Sequence, residues 1–207
     1  MDAFLESVHF RHACKLFDRD KKIPQEVLNA ILEVGRLAPS SFGMEPTRMV
    51  VFQSEEAKES LQTLCWNQPQ IATASAVVVY KVLCQDLNPP SAYLAKLASG
   101  KAPSKESLDG LFNVLKQHLK TRGYLENNIF QWGAMQAYIM ATYMVAYASY
   151  LKIDTCYMEG FDKAGIESYL HLDATKEQVA LVVCFGYRAK AQQERFRLGL
   201  DEIVEYK

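Results

Sequence analysis

The feature that most constrains the fold is the segment from Trp132 to Leu151, which contains no charged residue and has the composition of a long helix. Its length is close to the roughly 20 residues that cross a membrane. Gln136, several tyrosines and the lack of a second apolar span or a flanking basic cluster argue against a membrane span. A helix that is apolar on every side also suits the centre of a protein core. We therefore predict a buried helix within residues 124–151. Its small residues would let another helix approach closely, and we expect a partner subunit to share it: Gly133, Ala134, Ala137, Ala141 and Ala148.

The rest of the chain reads as alternating helices and strands. With 207 residues and 49% hydrophobic content, the chain is predicted to form one domain over residues 1–207. A polar, lysine-rich stretch at about 86–123 is predicted to be a helical insertion, either a lid or a dimer arm. Strands separated by helices indicate a mixed structure of α and β layers. Neither GxGxxG after a strand nor GxxxxGK[ST] occurs, so the Rossmann and P-loop fingerprints are missing. The predicted strands are residues 48–53, 75–83, 154–158 and 179–186.

Two basic clusters lie near opposite ends of the chain. Arg11 and Lys15 are four residues apart, and in an extended segment they would share one side with Ala13. Arg195 and Arg197 form a similar pair. Forked guanidinium groups and a lysine point charge suit a phosphate, although solvated surface cations are the commoner explanation. The net charge of −1 makes a nucleic-acid partner unlikely while allowing a local phosphate site.

The cysteines and histidines indicate neither a disulfide framework nor a metal site. Five scattered cysteines without a CxxC pair favour a reduced, cytoplasmic protein. The first residues include Asp2 and Glu6 and do not form a secretory signal. Cys14 lies between cations that could favour its thiolate, but an incidental thiol is the commoner case. The four histidines show no ligand spacing, so we expect no metal: His9, His12, His118 and His171.

Taken together, these motifs resemble those of the nitroreductase family of FMN-dependent NAD(P)H oxidoreductases. The resemblance covers about residues 2–203 and includes the following pieces in family order: Arg11-His12-Ala13-Cys14-Lys15, Pro39-Ser40-Ser41, Pro46, Asn67, Glu159-Gly160-Phe161 and Arg195-Phe196-Arg197. It implies an α+β fold with a central, mostly antiparallel sheet flanked by helices. It also implies an intertwined homodimer that binds FMN at its interface and passes electrons from NAD(P)H to nitroaromatics, quinones or similar acceptors by a ping-pong mechanism.

The resemblance also implies a role for each matching residue. The four cations would bind the FMN phosphate and the flavin edge, with Lys15 near N1 and O2. The turn at Pro39, Ser40 and Ser41 would lie against the flavin, and Asn67 would contact its pyrimidine edge. The backbone at Glu159 and Gly160 would approach N5, so no side chain need act as an acid, base or nucleophile. The complete set of expected cofactor-binding residues is Arg11, His12, Ala13, Lys15, Pro39, Ser40, Ser41, Asn67, Gln70, Glu159, Gly160, Arg195 and Arg197.

Three departures from the family pattern leave a second hypothesis open. Ala13 lacks a hydroxyl that many members carry, and Gln70 stands where a lysine often holds the flavin edge. Glu45 adds a negative charge that could pair with Arg11 or Lys15 or could weaken FMN binding. The alternative is therefore an FMN-binding regulatory protein of the same fold, or another non-reductase member, with little nicotinamide-dependent turnover.

Overall fold

The computed structural model describes residues 2–88, 90–99, 104–125 and 128–207, which form an α+β fold around one antiparallel sheet. The strand order across the sheet is β1-β2-β4-β3, and every neighbouring pair is antiparallel. The predicted α+β class and antiparallel sheet are therefore confirmed. The strands are β1 (Thr47–Phe52), β2 (Ala76–Leu83), β3 (Asp154–Met158) and β4 (Glu177–Gly186).

The helices begin where the local sequence provides suitable first residues. The Ser54 hydroxyl accepts a hydrogen bond from the Ala57 amide at the start of α3, and the Asp162 carboxylate accepts one from the Gly165 amide at the start of α8. The helices are α1 (Ala3–Phe10), α2 (Gln25–Arg36), α3 (Glu55–Leu64), α4 (Pro69–Thr73), α5 (Ala92–Ser99), α6 (Lys105–Thr121), α7 (Ile129–Tyr150), α8 (Lys163–Tyr169) and α9 (Leu200–Ile203).

The charge-free helix α7 packs across one face of the sheet together with α2. Ala137 and Ala141 are fully buried in the same apolar cluster as Val78 and Tyr80 of β2. A Cβ atom at Gly133 would lie only 2.2 Å from Cγ1 of Val82, so this glycine lets the helix lie close to the strand. These small residues therefore let α7 lie close to the sheet of its own chain, whereas the sequence suggests that another helix approaches them. Among the described residues, no helix meets the length and hydropathy needed for a membrane span.

Helix α7 begins later than the sequence predicts. Tyr124 belongs to the end of α6, because its amide donates to the Leu119 carbonyl and Gly123 adopts a φ of 71°. This left-handed residue ends α6 in the way that glycine commonly ends a helix. The segment predicted at 124–151 thus starts in the turn that follows α6, and the helix itself covers Ile129–Tyr150.

The predicted insertion contributes to a third apolar cluster at one end of the sheet. Leu94 of α5 and Leu115 of α6 are fully buried there with Met44 and Val82. Residues 89 and 100–103 of the insertion lie outside the described residues. The described helices therefore pack onto the sheet and onto the loop that precedes β1. On the opposite sheet face, α3, α4 and α8 cover a cluster that includes Cys14, Phe17, Leu61, Ile71 and Ile166.

Candidate functional site

The two basic segments lie side by side in the structure. Residues 11–16 and 190–197 line one cleft of about 620 Å³. We call it the cationic cleft, after the five Lys and Arg side chains that line it, one of which is Lys190; one carboxylate, that of Glu194, also lines it. His12 and Ala13 line it as well. The cations that the sequence singles out are thus brought together: Arg11, Lys15, Arg195 and Arg197.

Main-chain hydrogen bonds hold the two ends of the chain at this place. The Cys14 amide donates to the Thr155 carbonyl at 3.0 Å, and Ala13 forms a parallel bridge with Thr155, so the N-terminal segment runs beside β3. The Ala189 amide donates to the Leu16 carbonyl at 3.1 Å. Arg195 then closes the cleft, because its Nη1 donates to the carbonyls of Val8 and Arg11 at 3.0 and 2.9 Å.

The cationic cleft carries an excess of positive charge, because five Lys and Arg side chains and one carboxylate, that of Glu194, line it. Among the residues that the structure describes, none of these five cations forms an ion pair with a carboxylate. Burial lowers the pKa of Arg11, and the like charges of Arg195 and Arg197 lower it further. Clustering cations without ion-pair partners costs free energy, which an anionic ligand in the cleft would recover. The arrangement therefore suits a phosphate.

Behind the cleft lies a buried carboxylate that sequence reasoning missed. Asp154 is 4% exposed, and its Oδ1 lies 2.6 Å from Nη2 of Arg188. The Arg188 amide also donates to its Oδ2 at 2.8 Å, and His12 Nδ1 lies 3.5 Å from Oδ1. Since Arg188 pairs with this carboxylate, it is a structural cation that holds the end of β4 against β3. The sequence offers only a weak signal for the pair, an acidic and a basic residue at two strand ends.

Stability is expected to fall at mildly acidic pH because of His12. Burial lowers the pKa of His12, the Arg188 charge lowers it further, and Asp154 opposes the shift. The folded state therefore favours neutral imidazole, whereas the unfolded chain takes up a proton near the ordinary pKa of about 6.5. Neutral His12 therefore contributes to the free energy of unfolding in full above a pH of about 6.5, and this contribution is lost as the pH falls from there through the lower pKa of the folded state. We expect the drop in Tm between about pH 7.5 and about pH 5.5 to be smaller in His12→Gln than in the wild type. An equal drop would contradict the assignment.

Two predicted residues, Asn67 and Gln70, lie on either side of Gln68 in the sequence, and Gln68 contacts Gly160 in the turn after β3. The Gln68 amide Nε2 donates to the Gly160 carbonyl at 2.8 Å. Gln70 is buried behind Gln68, and its Nε2 lies 3.0 Å from both Oε1 of Gln68 and Sδ of Met158. Asn67, next to Gln68, is exposed and has a φ of 55°. Gln70 thus supports the Gln68 side chain from inside, while Asn67 lies at the surface.

Glu159 is held from the other side by α7. The hydroxyl of Tyr138 donates to Oε1 of Glu159, and the Tyr138 ring lies parallel to that of Tyr157 at a centroid distance of 6.5 Å. Burial raises the pKa of Tyr138, and the hydrogen bond to Glu159 raises it further, so the phenol remains a donor. The Glu159–Gly160 backbone is therefore fixed between α7 and the turn before α4.

The turn at Pro39 and Ser40 lies in a different cleft of the same chain. This cleft measures about 290 Å³ and also contains Glu45 and Arg48. The Ser40 hydroxyl accepts a hydrogen bond from the Glu45 amide, and the Ser41 amide donates to Gln136 Oε1. A single chain thus does not bring this turn into the cationic cleft. Within the described residues, Glu45 forms no ion pair with Arg11 or Lys15, so that expected pairing does not occur inside one chain.

Part of the insertion anchors this turn. The Tyr93 hydroxyl of α5 donates to the Glu45 carbonyl at 2.6 Å, and the Phe42 ring meets His118 of α6 edge-on at 5.0 Å. The described helices of the insertion therefore fix the loop between α2 and β1.

The cysteine thiols are buried, and burial disfavours the thiolate form that reacts. All five are free, and burial raises the pKa of Cys14 to about 11. The cations beside Cys14 thus do not produce a thiolate, which excludes the reactive-thiol alternative for this residue. Lys15 Nζ instead lies 3.7 Å from the sulfur of Cys156. The described ranges also contain no cluster of three or more metal-binding side chains.

We expect the native protein to react slowly with a thiol reagent. In a titration with Ellman's reagent, fewer than about one thiol per chain should react within minutes, because buried thiols have little thiolate. All five cysteines should react after unfolding in guanidinium. One fast thiol that disappears in Cys14→Ser would contradict this prediction.

Comparisons with known proteins agree with this geometry. Residues 8–187 match the model of the Nitroreductase family. A provisionally named NAD(P)H nitroreductase of Staphylococcus haemolyticus is 31% identical over 213 residues, covering 99% of this chain and 97% of that protein. A provisionally named NAD(P)H nitroreductase of Bacillus subtilis is 30% identical over 212 residues, covering 98% of this chain and 96% of that protein.

Solved structures show the same fold. A provisionally described NAD(P)H:FMN oxidoreductase of Staphylococcus epidermidis has a TM-score of 0.80 at 25% identity and covers 100% of this chain and 97% of that chain. A nitroreductase of Exiguobacterium sibiricum, also provisionally described and solved in complex with FMN, has a TM-score of 0.75 at 23% identity, with coverage of 99% and 97%. The fold, the ordered motifs and the full-length relatives lead to one conclusion: the chain belongs to the nitroreductase family.

Proposed function

We propose that this protein binds FMN and catalyses electron transfer from NAD(P)H to a small acceptor, such as a quinone or a nitroaromatic, by a ping-pong mechanism. The observation that carries the proposal is the cationic cleft, whose five Lys and Arg side chains form no ion pair with a carboxylate among the described residues. The cleft and the half-buried backbone at Gly160 are suited to a molecule with a phosphate at one end and a planar ring at the other. FMN, when bound, supplies the hydride and electron chemistry.

Each group of residues has a distinct part in this proposal. Arg11, Arg195 and Arg197 would bind the phosphate, and Lys15 would stabilise negative charge at the flavin edge. His12 and Ala13 would line the same end of the site. Asn67 would contact the pyrimidine edge, with Gln70 acting through Gln68. The backbone of Glu159 and Gly160 would face N5, and Tyr138 would keep that backbone in place.

Anaerobic reduction tests the proposal directly. The purified protein, loaded with FMN, should be yellow and should lose its flavin absorption band when NADH or NADPH is added. Addition of a quinone should then restore the band. Protein that takes up no FMN would overturn the proposal. Tight FMN binding without reduction by either nicotinamide would favour the alternative, a regulatory or non-reductase protein. One reason to keep this alternative is that Gln70 stands where family members often have a lysine.

We further propose that the site is completed by a second copy of the chain. The outward face of α7 exposes Met135, Tyr143 and Tyr150, and the C-terminal tail exposes Phe196 and Tyr206 at 81% and 89%. Apolar surface of this extent favours burial against a partner. The turn at residues 39–41 also lies outside the cationic cleft of its own chain, so it would have to reach the flavin of the other subunit. The five free cysteines fit a reducing, cytoplasmic setting for this dimer.

The dimer makes a prediction about the tail. Light scattering should give twice the chain mass of 23.5 kDa at micromolar concentration. Deleting residues 198–207 removes exposed apolar side chains of the tail while keeping both arginines, and it should shift the protein toward monomer and weaken FMN binding together. A wild-type protein that is monomeric yet binds FMN tightly would contradict the shared site.

A further inference from the structure

Trp66 and Asn67 form an unusual turn between α3 and α4. Both residues adopt a φ of 55°, a left-handed conformation that non-glycine residues seldom take. The turn is nevertheless fixed: the Asn67 amide donates to the Gln62 carbonyl, and the Gln62 side chain donates to the Asn67 carbonyl. Strained residues of this kind persist where the surrounding structure holds them, and they concentrate at functional sites.

The turn carries a large aromatic side chain at the surface, beside Gly160. Trp66 is 68% exposed, whereas Trp132, the other tryptophan, is buried. A Cβ atom at Gly160 would lie 2.8 Å from Cε3 and Cζ3 of Trp66, so one edge of the indole rests against the Gly160 backbone. The remainder of the ring is open to solvent. Core packing does not explain this placement, because most of the apolar surface of the side chain is left unburied.

We propose that Trp66 is a specificity-determining residue whose exposed indole face binds the planar aromatic ring of a substrate at Gly160. This inference rests on the proposed function, which places the reacting end of the flavin at Gly160. An indole offers a broad, rigid π surface, and offset or edge-to-face contacts with another ring add to the free energy of apolar burial. The site thereby favours flat aromatic ligands over saturated ligands of similar size and charge.

The geometry of the turn indicates that Trp66 is a positioned binding surface and not a freely moving surface residue. Gln68 donates to both the Cys65 and Gly160 carbonyls, at 3.2 and 2.8 Å, and so ties the turn to the loop after β3. Gln68 thus links the backbone of the turn that carries Trp66 to the Gly160 backbone, so the fold fixes where the indole is attached relative to Gly160. A ligand ring that stacks on Trp66 is therefore also positioned relative to Gly160.

Binding of two matched neutral ligands tests the proposal in FMN-loaded protein. Benzamide and cyclohexanecarboxamide differ in the aromaticity of one ring, and their dissociation constants can be measured from changes in flavin absorption. Trp66→Leu keeps an apolar side chain without a π face, whereas Trp66→Phe keeps a π face. We expect Trp66→Leu to weaken benzamide binding about 3- to 10-fold, with cyclohexanecarboxamide within about twofold and Trp66→Phe close to wild type.

Several outcomes would overturn this assignment. Equal weakening of both ligands in Trp66→Leu would show a general apolar contact, and equal behaviour of the Leu and Phe variants would exclude aromatic stacking. Wild-type protein that does not prefer benzamide would do the same. Failure of the proposed function has a separate sign, the absence of flavin bleaching by NADH or NADPH in the wild type. Since ligand binding is measured without turnover, the two failures are distinguishable.

Discussion

Replacing Gly160 with alanine is expected to leave the protein folded while slowing reduction of bound flavin by NAD(P)H by about 10- to 100-fold. The added Cβ atom would lie 2.8 Å from two ring carbons of Trp66 and 2.9 Å from Nε2 of Gln68. Both side chains would have to move, and the hydrogen bond from Gln68 to the Gly160 carbonyl would lengthen or break. Trp66 can swing into solvent without leaving a cavity, so the cost to stability is small. Stopped-flow reduction under anaerobic conditions measures the rate.

Gly110→Ala is the matched control for this substitution. Gly110 lies within α6, and a Cβ atom there would have no heavy atom within 4 Å. The control should raise the free energy of unfolding by about 0.4–1 kcal/mol and leave flavin reduction unchanged. If Gly160→Ala also reduced flavin at the wild-type rate, the backbone at residue 160 would not face the reacting atoms. A fold lost on Gly160→Ala would show instead that the loop after β3 is required for packing.

The sequence predicts the strands well because each contains a short run of apolar or β-branched residues. Strand β3 covers the predicted residues 154–158, and β2 begins one residue after the prediction, at Ala76. Strand β4 begins earlier than predicted, because the polar residues Glu177 and Gln178 pair with Leu83 and Val82. Their pairing depends on the neighbouring strand, which local hydropathy does not report. The long helix α7 is predicted because no charged residue interrupts it.

The candidate site is only partly visible in the sequence. Basic pairs at the two ends of the chain can be recognised, and the fold brings them into one cleft. Trp66 could not be identified, because its left-handed turn contains no glycine or proline to mark it. Asp154 reads as the polar start of a strand, and its burial beside Arg188 becomes apparent only when β3 and β4 are paired. The turn at residues 39–41 lies in a separate cleft of the chain, so its proposed place against the flavin depends on the proposed dimer and has no local sequence signal.

Removing one cation from the cationic cleft should weaken FMN binding without weakening the fold. Arg11→Ala is expected to raise the dissociation constant of FMN about 10- to 100-fold, because a charge-assisted phosphate contact contributes about 1.5–3 kcal/mol. The same change relieves repulsion from Arg195 and Arg197, the charges that lower the pKa of Arg11. The Tm of the FMN-free protein should therefore stay the same or rise. Fluorescence titration with FMN and thermal unfolding measure the two effects.

Lys176→Ala provides the control of equal charge change. Lys176 pairs with Asp173 at 3.0 Å and lies outside the cationic cleft, so its loss should change FMN affinity by no more than about twofold. Added salt should stabilise the FMN-free wild type more than Arg11→Ala, because screening weakens the repulsion that the variant lacks. Equal FMN affinity in the two variants would show that Arg11 is a surface cation with no part in FMN binding. A fall in both FMN affinity and Tm for Arg11→Ala would show that Arg11 stabilises the fold. A cation that serves anion binding instead destabilises the FMN-free protein, because its repulsion from Arg195 and Arg197 is not relieved.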